Sequence, residues 1–515
     1  MKIERTKNAE RNIVWGLVNK IVGLLLPFIC RAAIIRIFGM NYLGLNSLFT
    51  SILTVLNLSE LGFGSAIVFF MYKAVAQDDN DTINALMHFY KIVYRIIGLI
   101  VLTLGLVLLP FLRYFIKKDI PTDLNLYIVY LITLAGTVVT YFLYAYKNCI
   151  LEAYQRKDVI LNVNTIVAIV ERILQLIVIF ITHNYYLYLA VTVATNVTNN
   201  IIIAVIVKKR YPQFTAEGKL NAGKKKNIIQ KIKGLFLYRI GHVIIGPADN
   251  IVISAFLGLT IAGMYGNYYF VVMMVCAFID IYYNAIRAGV GNSIAVESVE
   301  KNYEDFKLLQ FLQNWGIGWC SICLLCLFQD FINIYVGKDA LFDYGVVACF
   351  VGYFFAMKSQ DVVYLYKDAG GMWEHDKWRP LTGGLINLCL NILLTKFIGV
   401  YGVLVASIFV LTVVYLPWSP KALFRDYFKY SLKEYYWMLL KGLLMMVLMG
   451  VPTFVACYFL SFENALLSLM VKAILCVVLP NAIFVLMNIR NPYLKRTIKK
   501  VKSIIGGRKI KNALH

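Results

Sequence analysis

The chain has 515 residues, of which 60% are apolar and only 15% carry a charge. A water-soluble protein of this length divides into several domains and has about 25% charged residues, so this composition excludes an ordinary soluble enzyme. The net charge of +23 therefore matters through its distribution along the chain. A polytopic membrane protein is the direct interpretation.

Hydrophobic runs long enough to cross a bilayer recur along the whole chain. The first run is too long for a signal peptide and lacks a cleavage site, so we expect it to be the first span. We predict fourteen spans, at residues 13–38, 44–71, 89–112, 123–146, 158–182, 185–207, 234–257, 263–288, 308–332, 340–366, 378–398, 401–424, 437–460 and 466–488.

The basic residues predict the orientation of these spans. Lys and Arg concentrate in alternate connections, most densely at 208–233 and after Arg490. Because cytoplasmic connections carry the basic excess, both termini are expected on the cytoplasmic side of the membrane. Anionic lipid headgroups are the expected partners of the basic segments, and nucleic acid is not. The connections on the outer side are too short for a folded extracellular domain.

The two halves of the chain resemble each other. Gly39 and Gly44 match Gly258 and Gly263, and each pair is expected to close a tight outer hairpin. Both copies start inside, so the repeats are parallel, an arrangement typical of transporters. We therefore predict an all-α membrane protein with two six-helix lobes and two additional C-terminal helices. The expected boundaries are 1–207 for the first lobe, 208–233 for a basic cytoplasmic linker, 234–424 for the second lobe, and 425–515 for the last helices and basic tail.

Ionisable residues inside the spans are costly in a membrane and indicate functional positions. The densest polar stripes lie on spans 1, 2, 7 and 8. The candidate substrate-binding residues are basic, and the candidate coupling or gating residues are acidic or His. The first group is Lys20, Arg31, Arg239 and Arg287, and the second is Glu60, His242, Asp249 and Asp280.

Depth separates these candidates. At about 1.5 Å per residue, Arg31 and Asp249 lie past the midplane, and Asp249 needs a partner from another span, with Arg31 the obvious one. Lys20, Arg239 and Arg287 lie nearer the inner surface, where each could instead extend to the lipid headgroups.

Other polar groups have simpler explanations. Glu60 and Asp280 could form structural pairs between helices, and His242 could line an aqueous path. Lys358 and Asp361 can neutralise each other, being three residues apart. We expect no metal at Cys320-x-x-Cys323-x-x-Cys326, because no His or acidic partner converges there.

Several motifs carry a family resemblance. They are Asn41-Tyr-Leu-Gly44-Leu, the run from Glu60 to Val68, Asp249-Asn-Ile-Val-Ile-Ser254 and Gly263-Met-Tyr-Gly-Asn-Tyr-Tyr269. With fourteen spans in two halves, the chain resembles the multidrug/oligosaccharidyl-lipid/polysaccharide (MOP) exporter superfamily, and within it the bacterial O-antigen-type polysaccharide flippases.

The resemblance implies flipping of an undecaprenyl-pyrophosphate-linked oligosaccharide across the plasma membrane by alternating access. It implies a cavity lined by spans 1, 2, 7 and 8, with Arg31 closest to the family's pyrophosphate-contacting arginines. No cofactor is expected, and coupling to protons, sodium ions or the membrane potential is common in the superfamily. Polymerases or assembly proteins of polysaccharide synthesis are conceivable partners.

Three rival functions differ in sequence features. A drug/ion antiporter of the same fold would favour carboxylates and aromatic residues over basic ones. A membrane glycosyltransferase or polysaccharide polymerase would carry a sizeable outer loop. A membrane scaffold would not need charged stripes at the midplane. The basic stripes and short outer loops favour a transporter that is not an enzyme.

Overall fold

We describe a computed structural model of the chain, covering residues 5–57, 63–372, 378–460, 462–499 and 502. Side chains are described at these positions except 5–10, 13, 231 and 233–245. Within this part of the chain the structure is helical and contains no β-strand, which confirms the all-α class.

Eighteen α-helices are numbered here in chain order across the described residues. They are α1 (Arg5–Ile37), α2 (Met40–Leu56), α3 (Phe63–Ala76), α4 (Asn80–Leu108), α5 (Leu126–Phe142), α6 (Asn148–Ala153), α7 (Lys157–Thr182), α8 (Tyr185–Arg210), α9 (Ala222–Leu257), α10 (Leu259–Val296), α11 (Val299–Val336), α12 (Tyr344–Lys358), α13 (Asp361–Ala369), α14 (Arg379–Ile398), α15 (Val400–Phe409), α16 (Leu416–Ala422), α17 (Leu432–Phe459) and α18 (Ala465–Asn488).

The long helices account for the predicted spans. Among the described residues, 11 helices are long and apolar enough to cross a membrane, and up to 12 if the bent stretch Leu126–Phe142 plus Ala145–Ala153 counts as one span. The other two predicted spans lie on α2 with α3 and on α9. Residues 58–62 of the first span and the side chains at 233–245 of the second lie outside the description.

The chain forms two compact units. Unit 1 comprises Met1–Asn267 and Lys377–Val403, and unit 2 comprises Tyr268–Asp376 and Leu404–His515. In unit 1, α1 packs against α7, α9 packs against α14 and α2, and α5 packs against α8. In unit 2, α11 packs against α12, α17 and α18. The lobe boundaries derived from the sequence repeat stay a prediction.

Polar side chains lie inside the helix packing and large apolar ones lie on its surface. On α7, Gln175 is fully buried, whereas Ile173 and Phe180 are more than half exposed. Asn387 and Asn391 of α14 are fully buried as well. This distribution suits a helix bundle in lipid, where apolar surfaces need no protein partner and buried polar groups hydrogen-bond between helices. The buried polar groups are therefore candidates for functional positions.

The connection between α8 and α9, within unit 1, is hydrogen-bonded to the first turns of α4. Oδ1 of Asn84, on α4, accepts hydrogen bonds from the backbone N–H groups of Thr215 (2.8 Å) and Ala216 (3.1 Å). Nδ1 of His88 lies 3.0 Å from the carbonyl oxygen of Ala216. We call residues 211–221 the strap. The centre of the predicted linker is thus attached to a helix end.

Candidate functional site

Arg31 lies in the second half of α1 and reaches α10. Its Nε and Nη2 donate hydrogen bonds of 3.3 Å and 3.1 Å to Oδ1 of Asn267. The side chain is half-buried, and a Cβ added to Gly266 would lie 3.2 Å from Nη2 of Arg31. The Asn267 amide orients the guanidinium and brings no negative charge of its own. The role of Arg31 in binding stays a prediction.

Asp249, on α9, is the most deeply buried of the predicted site residues whose side chains are described, with 1% of its surface exposed. One carboxylate oxygen accepts a 2.7 Å hydrogen bond from Nδ2 of Asn391, and the other accepts a 3.0 Å bond from the hydroxyl of Tyr265. Nδ2 of Asn391 also donates to Oδ1 of Asn387 at 3.1 Å. The expected pairing of Asp249 with Arg31 stays a prediction.

Sequence reasoning missed the contribution of α14 to this group. Asn387 and Asn391 are four residues apart and share one helix face, the same spacing that singled out the charged stripes. Because both side chains are uncharged, a search for charges inside spans passes over them. Their burial inside the helix packing now identifies them as part of the Asp249 group, which comprises Asp249, Tyr265, Asn387 and Asn391.

Asp280 belongs to an ion-pair cluster in unit 2. Nζ of Lys358 lies 2.6 Å from Oδ1 of Asp280 and 3.0 Å from Oδ2 of Asp361. The predicted pairing of Lys358 with Asp361 is therefore confirmed, and Asp280 joins it from α10. Lys358 is 5% exposed and ends α12, while Asp361 begins α13. The cluster thus spans a break between two helices.

The remaining predicted site residues have different settings. Lys20 is half-buried on α1. Arg287, on α10, is about half exposed, and its Nη2 lies 3.7 Å from Oδ2 of Asp368. Glu60 lies outside the described residues, and so do the side chains of Arg239 and His242. The binding, coupling and gating roles of these residues stay predictions.

The two glycine hairpins predicted from the repeat are present and pack against each other within unit 1. Gly39 and Gly258 both have φ near +107°, a conformation that side-chain-bearing residues rarely adopt. A Cβ at Gly44 would collide with the carbonyl oxygen of Leu259, and one at Gly263 would collide with that of Met40. Helix α2 and the start of α10 therefore meet backbone to backbone.

A polar cavity of about 300 Å³ lies within unit 1. Helices α2, α5, α7 and α8 line it, and we call it the unit 1 cavity. Its polar lining residues are Asn46, Thr50, Thr54, Asn57, Thr133, Thr137, Glu171, Arg172, Thr192 and Asn196. Sequence reasoning missed this site because it searched for charged side chains. The steps of four, four and three between Asn46, Thr50, Thr54 and Asn57 place these neutral groups on one helix face and could have indicated it.

Three cysteine thiols converge in unit 2. Sγ atoms of Cys326, Cys457 and Cys476 lie within 4.8 Å of one another, and in the described part of the chain no other group of His, Cys, Asp or Glu has a geometry suited to a metal ion. Thiolates are ligands for soft metals. The sequence expectation named Cys326 with Cys320 and Cys323 rather than with these two partners. The expected lack of a metal stays a prediction.

Comparison with known proteins identifies the family. The profile of the family described as "Polysaccharide biosynthesis protein" matches residues 9–290, more than half of the chain. The chain belongs to this family. The match extends from α1 through most of α10 and so includes Arg31, Asp249 and the unit 1 cavity. No curated protein matches the chain in sequence.

Solved structures share the fold of this family member. The structure "Lipid II flippase MurJ, inward closed conformation" is 14% identical with a TM-score of 0.65, covering 92% of this chain and 99% of that one. An inward-facing multidrug resistance MATE family transporter of the MOP superfamily is 14% identical with a TM-score of 0.58, covering 76% and 92%. A mutant of the Vibrio cholerae MATE transporter VcmN is 13% identical with a TM-score of 0.53, covering 82% and 98%.

These likenesses concern the fold, which is that of the MOP exporter superfamily. The resemblance to this superfamily that the sequence predicted is therefore confirmed, including the polysaccharide branch named by the family profile. The family member is a multi-pass membrane protein with a transporter fold.

Proposed function

We propose that this protein is a flippase rather than an enzyme, and that it moves an undecaprenyl-pyrophosphate-linked oligosaccharide across the bacterial plasma membrane by alternating access. Both termini are cytoplasmic in this proposal. The observation that carries it is the guanidinium of Arg31, held by Asn267 inside the helix packing of a polysaccharide biosynthesis protein. Guanidinium groups match pairs of phosphate oxygens, so a pyrophosphate is a suitable ligand.

The basic candidates act on the substrate at different depths in the membrane. Lys20, Arg239 and Arg287 attract the anionic headgroup near the cytoplasmic surface, and Arg31 binds the pyrophosphate deeper in the membrane. The polyprenyl tail stays in lipid throughout. A solved protein of the same fold is a flippase for lipid II, which supports a lipid-borne substrate.

The Asp249 group couples the conformational change to an energy source, a proton or sodium gradient or the membrane potential. Asp249 receives hydrogen bonds from α10 and α14, so a change in its charge compensation alters contacts among three helices. A ligand or proton shifts such an equilibrium only by its differential affinity for the two states. Glu60, His242 and Asp280 are secondary candidates for this role.

Opening toward the outside requires the glycine hairpins to separate. The contact between Gly44 and the start of α10 joins backbones directly, with no side chains between them. Such a contact can part without unpacking large side chains, and the two hairpins are therefore the proposed outer gate.

Charge-neutral substitution of Arg31 tests the proposal. In proteoliposomes loaded with undecaprenyl-pyrophosphate-linked oligosaccharide, Arg31→Gln is expected to lower flipping by about tenfold to a hundredfold, the usual worth of a hydrogen bond to a charged group. Arg31→Lys should retain part of the activity. Arg36→Gln, an exposed arginine on the same helix, is the matched control and should flip normally.

The same vesicles separate the rival functions. Normal flipping by Arg31→Gln would contradict the pyrophosphate site. Export of a cationic dye, with no movement of the lipid-linked sugar, would identify a drug/ion antiporter instead. Elongation of the sugar chain would identify a glycosyltransferase or polymerase.

A further inference from the structure

We infer that the unit 1 cavity binds a single neutral sugar unit and that it selects among sugars. The inference rests on the proposed function in one respect, namely that the sugar belongs to the lipid-linked oligosaccharide being flipped. Arg31, which the proposal assigns to the pyrophosphate, is not among the residues that line the cavity.

The lining of the cavity is unusual for helices that cross a membrane. Ten of its 16 lining residues carry an amide, an aliphatic hydroxyl or a charge, and Tyr188 adds a phenolic hydroxyl, although polar groups inside a membrane are costly. Small-molecule sites occupy about 300 to 1,000 Å³. At about 300 Å³, this cavity has room for one sugar ring and not for a whole repeat unit.

A hydrogen-bond network fixes the charged part of the lining. Nη1 of Arg172 donates a 2.6 Å hydrogen bond to Oε1 of Gln175. Nε2 of Gln175 donates to Oε1 of Glu171 at 3.3 Å and to Oγ1 of Thr192 at 2.8 Å. Gln175 is fully buried behind the cavity wall. It therefore acts as a positioning residue that holds Glu171, Arg172 and Thr192 in one arrangement.

The charges favour a neutral ligand. Glu171 and Arg172 lie 3.9 Å apart, so an anion would meet the carboxylate and a cation would meet the guanidinium. A sugar hydroxyl both donates and accepts, so it can use both groups at once. Glu171 accepts, Arg172 donates, and the asparagines and threonines do both.

The remaining wall is apolar. Leu53, Ile132, Leu189 and Val193 line the cavity together with Tyr188, a buried ring on α8. A pyranose also has two kinds of surface, because its hydroxyl groups project outward and its C–H groups form less polar faces. A few oriented polar groups against an apolar wall is the usual composition of a small-molecule site.

Direct binding of free sugars tests the inference without relying on transport. The full chain is placed in lipid nanodiscs or a sugar-free detergent, because maltoside detergents would compete. Saturation-transfer difference NMR is recorded with D-glucose, D-galactose and N-acetyl-D-glucosamine. We expect a signal for at least one sugar and unequal affinities among the three.

Two threonines on one helix provide a matched pair of variants. Thr192→Val removes a lining hydroxyl, and is expected to weaken sugar binding by about tenfold, the effect of one lost partner in a buried polar site. Thr195→Val is the control, because Thr195 is buried and bonds to the backbone of its own helix, at Val191 and Thr192. Gln175→Leu should weaken binding as Thr192→Val does, and Glu171→Gln should change the order of preference among the sugars.

The outcomes distinguish this inference from the proposed function. A chain that flips lipid-linked oligosaccharide but gives no saturation transfer to any of the three sugars has no sugar site, and the inference fails alone. Equal binding by Thr192→Val and Thr195→Val would also overturn it. A chain that binds a monosaccharide through Thr192 and yet flips no lipid-linked substrate would support the sugar site and contradict the proposed function.

Discussion

Two carboxylates inside the helix packing, one in each unit, are held in contrasting ways: Asp249 is buried and Asp361 is partly buried. In unit 2, Asp361 shares the ammonium of Lys358 with Asp280, at 3.0 Å and 2.6 Å. In unit 1, the hydrogen bonds described for Asp249 come from the amide of Asn391 and the hydroxyl of Tyr265. The first arrangement joins helices through opposite charges, and the second through uncharged donors.

The difference separates a structural role from a switching role. A buried ion pair is costly to break, because removing one partner leaves an uncompensated charge. Amide and hydroxyl donors also stabilise a carboxylate, but they can rotate or exchange partners at lower cost. We therefore propose coupling by Asp249 in preference to Asp280, for which the sequence already left open a structural pair between helices.

Loss of Lys358 is expected to have the largest effect. Lys358→Met would leave Asp361, which is 15% exposed, without the buried ammonium that it shares with the half-exposed Asp280. Because solvent reaches both carboxylates, the expected cost is about 3 kcal/mol, the lower end of that for a buried pair. The unfolding temperature in detergent should fall sharply. Adding Asp280→Asn and Asp361→Asn to Lys358→Met should restore much of the loss. A stable single variant that has lost only transport would instead indicate a coupling role for the cluster.

Asp249→Asn is expected to act on transport more than on stability. Asparagine has nearly the same shape, yet it cannot carry the charge that the proposal requires. Flipping should fall by about tenfold to a hundredfold, with folding near that of wild type, and the response to an imposed proton or sodium gradient should disappear. If Asp280→Asn gives this result and Asp249→Asn does not, the assignment is reversed.

Gly44→Ala tests whether the contact between the two glycine hairpins of unit 1 opens and closes. The added methyl group would collide with the carbonyl oxygen of Leu259, and overpacking costs about 1 to 3 kcal/mol. Hydrogen exchange should accelerate in the two hairpins and stay unchanged in the Lys358 cluster. Gly23→Ala is the control, since no atom outside its own helix lies within 4 Å of an added Cβ. Unchanged exchange in the hairpins would contradict their role as a gate.

Asp79→Ala is expected to lower the stability of unit 1 slightly. Asp79 caps α4 and accepts a 2.9 Å hydrogen bond from the backbone N–H of Thr82. Hydrogen bonds from the side chain and the backbone of Thr82 hold the pKa of Asp79 below its usual value. Loss of such a cap costs about 1 kcal/mol, and transport should be unaffected.

The stabilisation contributed by Asp79 is expected to decrease in acid. Because the folded-state pKa of Asp79 is lowered, its contribution is present above the unfolded-state pKa of about 3.9 and is lost as the pH falls through the folded-state value. Thermal unfolding curves of wild type and Asp79→Ala should therefore differ at pH 7 and converge in acid. A difference that grows in acid would contradict the capping role.

Much of the fold follows from local sequence signals, and less of the site does. The hairpins at Gly39 and Gly258 could be predicted because glycine is favoured where φ is positive. The contact between Lys358 and Asp361 could be predicted because the two residues are three positions apart. Asn391 binds Asp249 across 142 residues of chain, and no local pattern connects the two. The unit 1 cavity likewise arises only when four helices pack.

The strap has a mechanical consequence. It continues into α8 at one end and α9 at the other, and Asn84 bonds it to the start of α4. Because α9 begins directly after the strap, a displacement of its first residues is expected to be transmitted to α4. Asp249 lies on the same α9, two residues after Pro247, so the strap and the Asp249 group are connected through one helix that can bend at its proline.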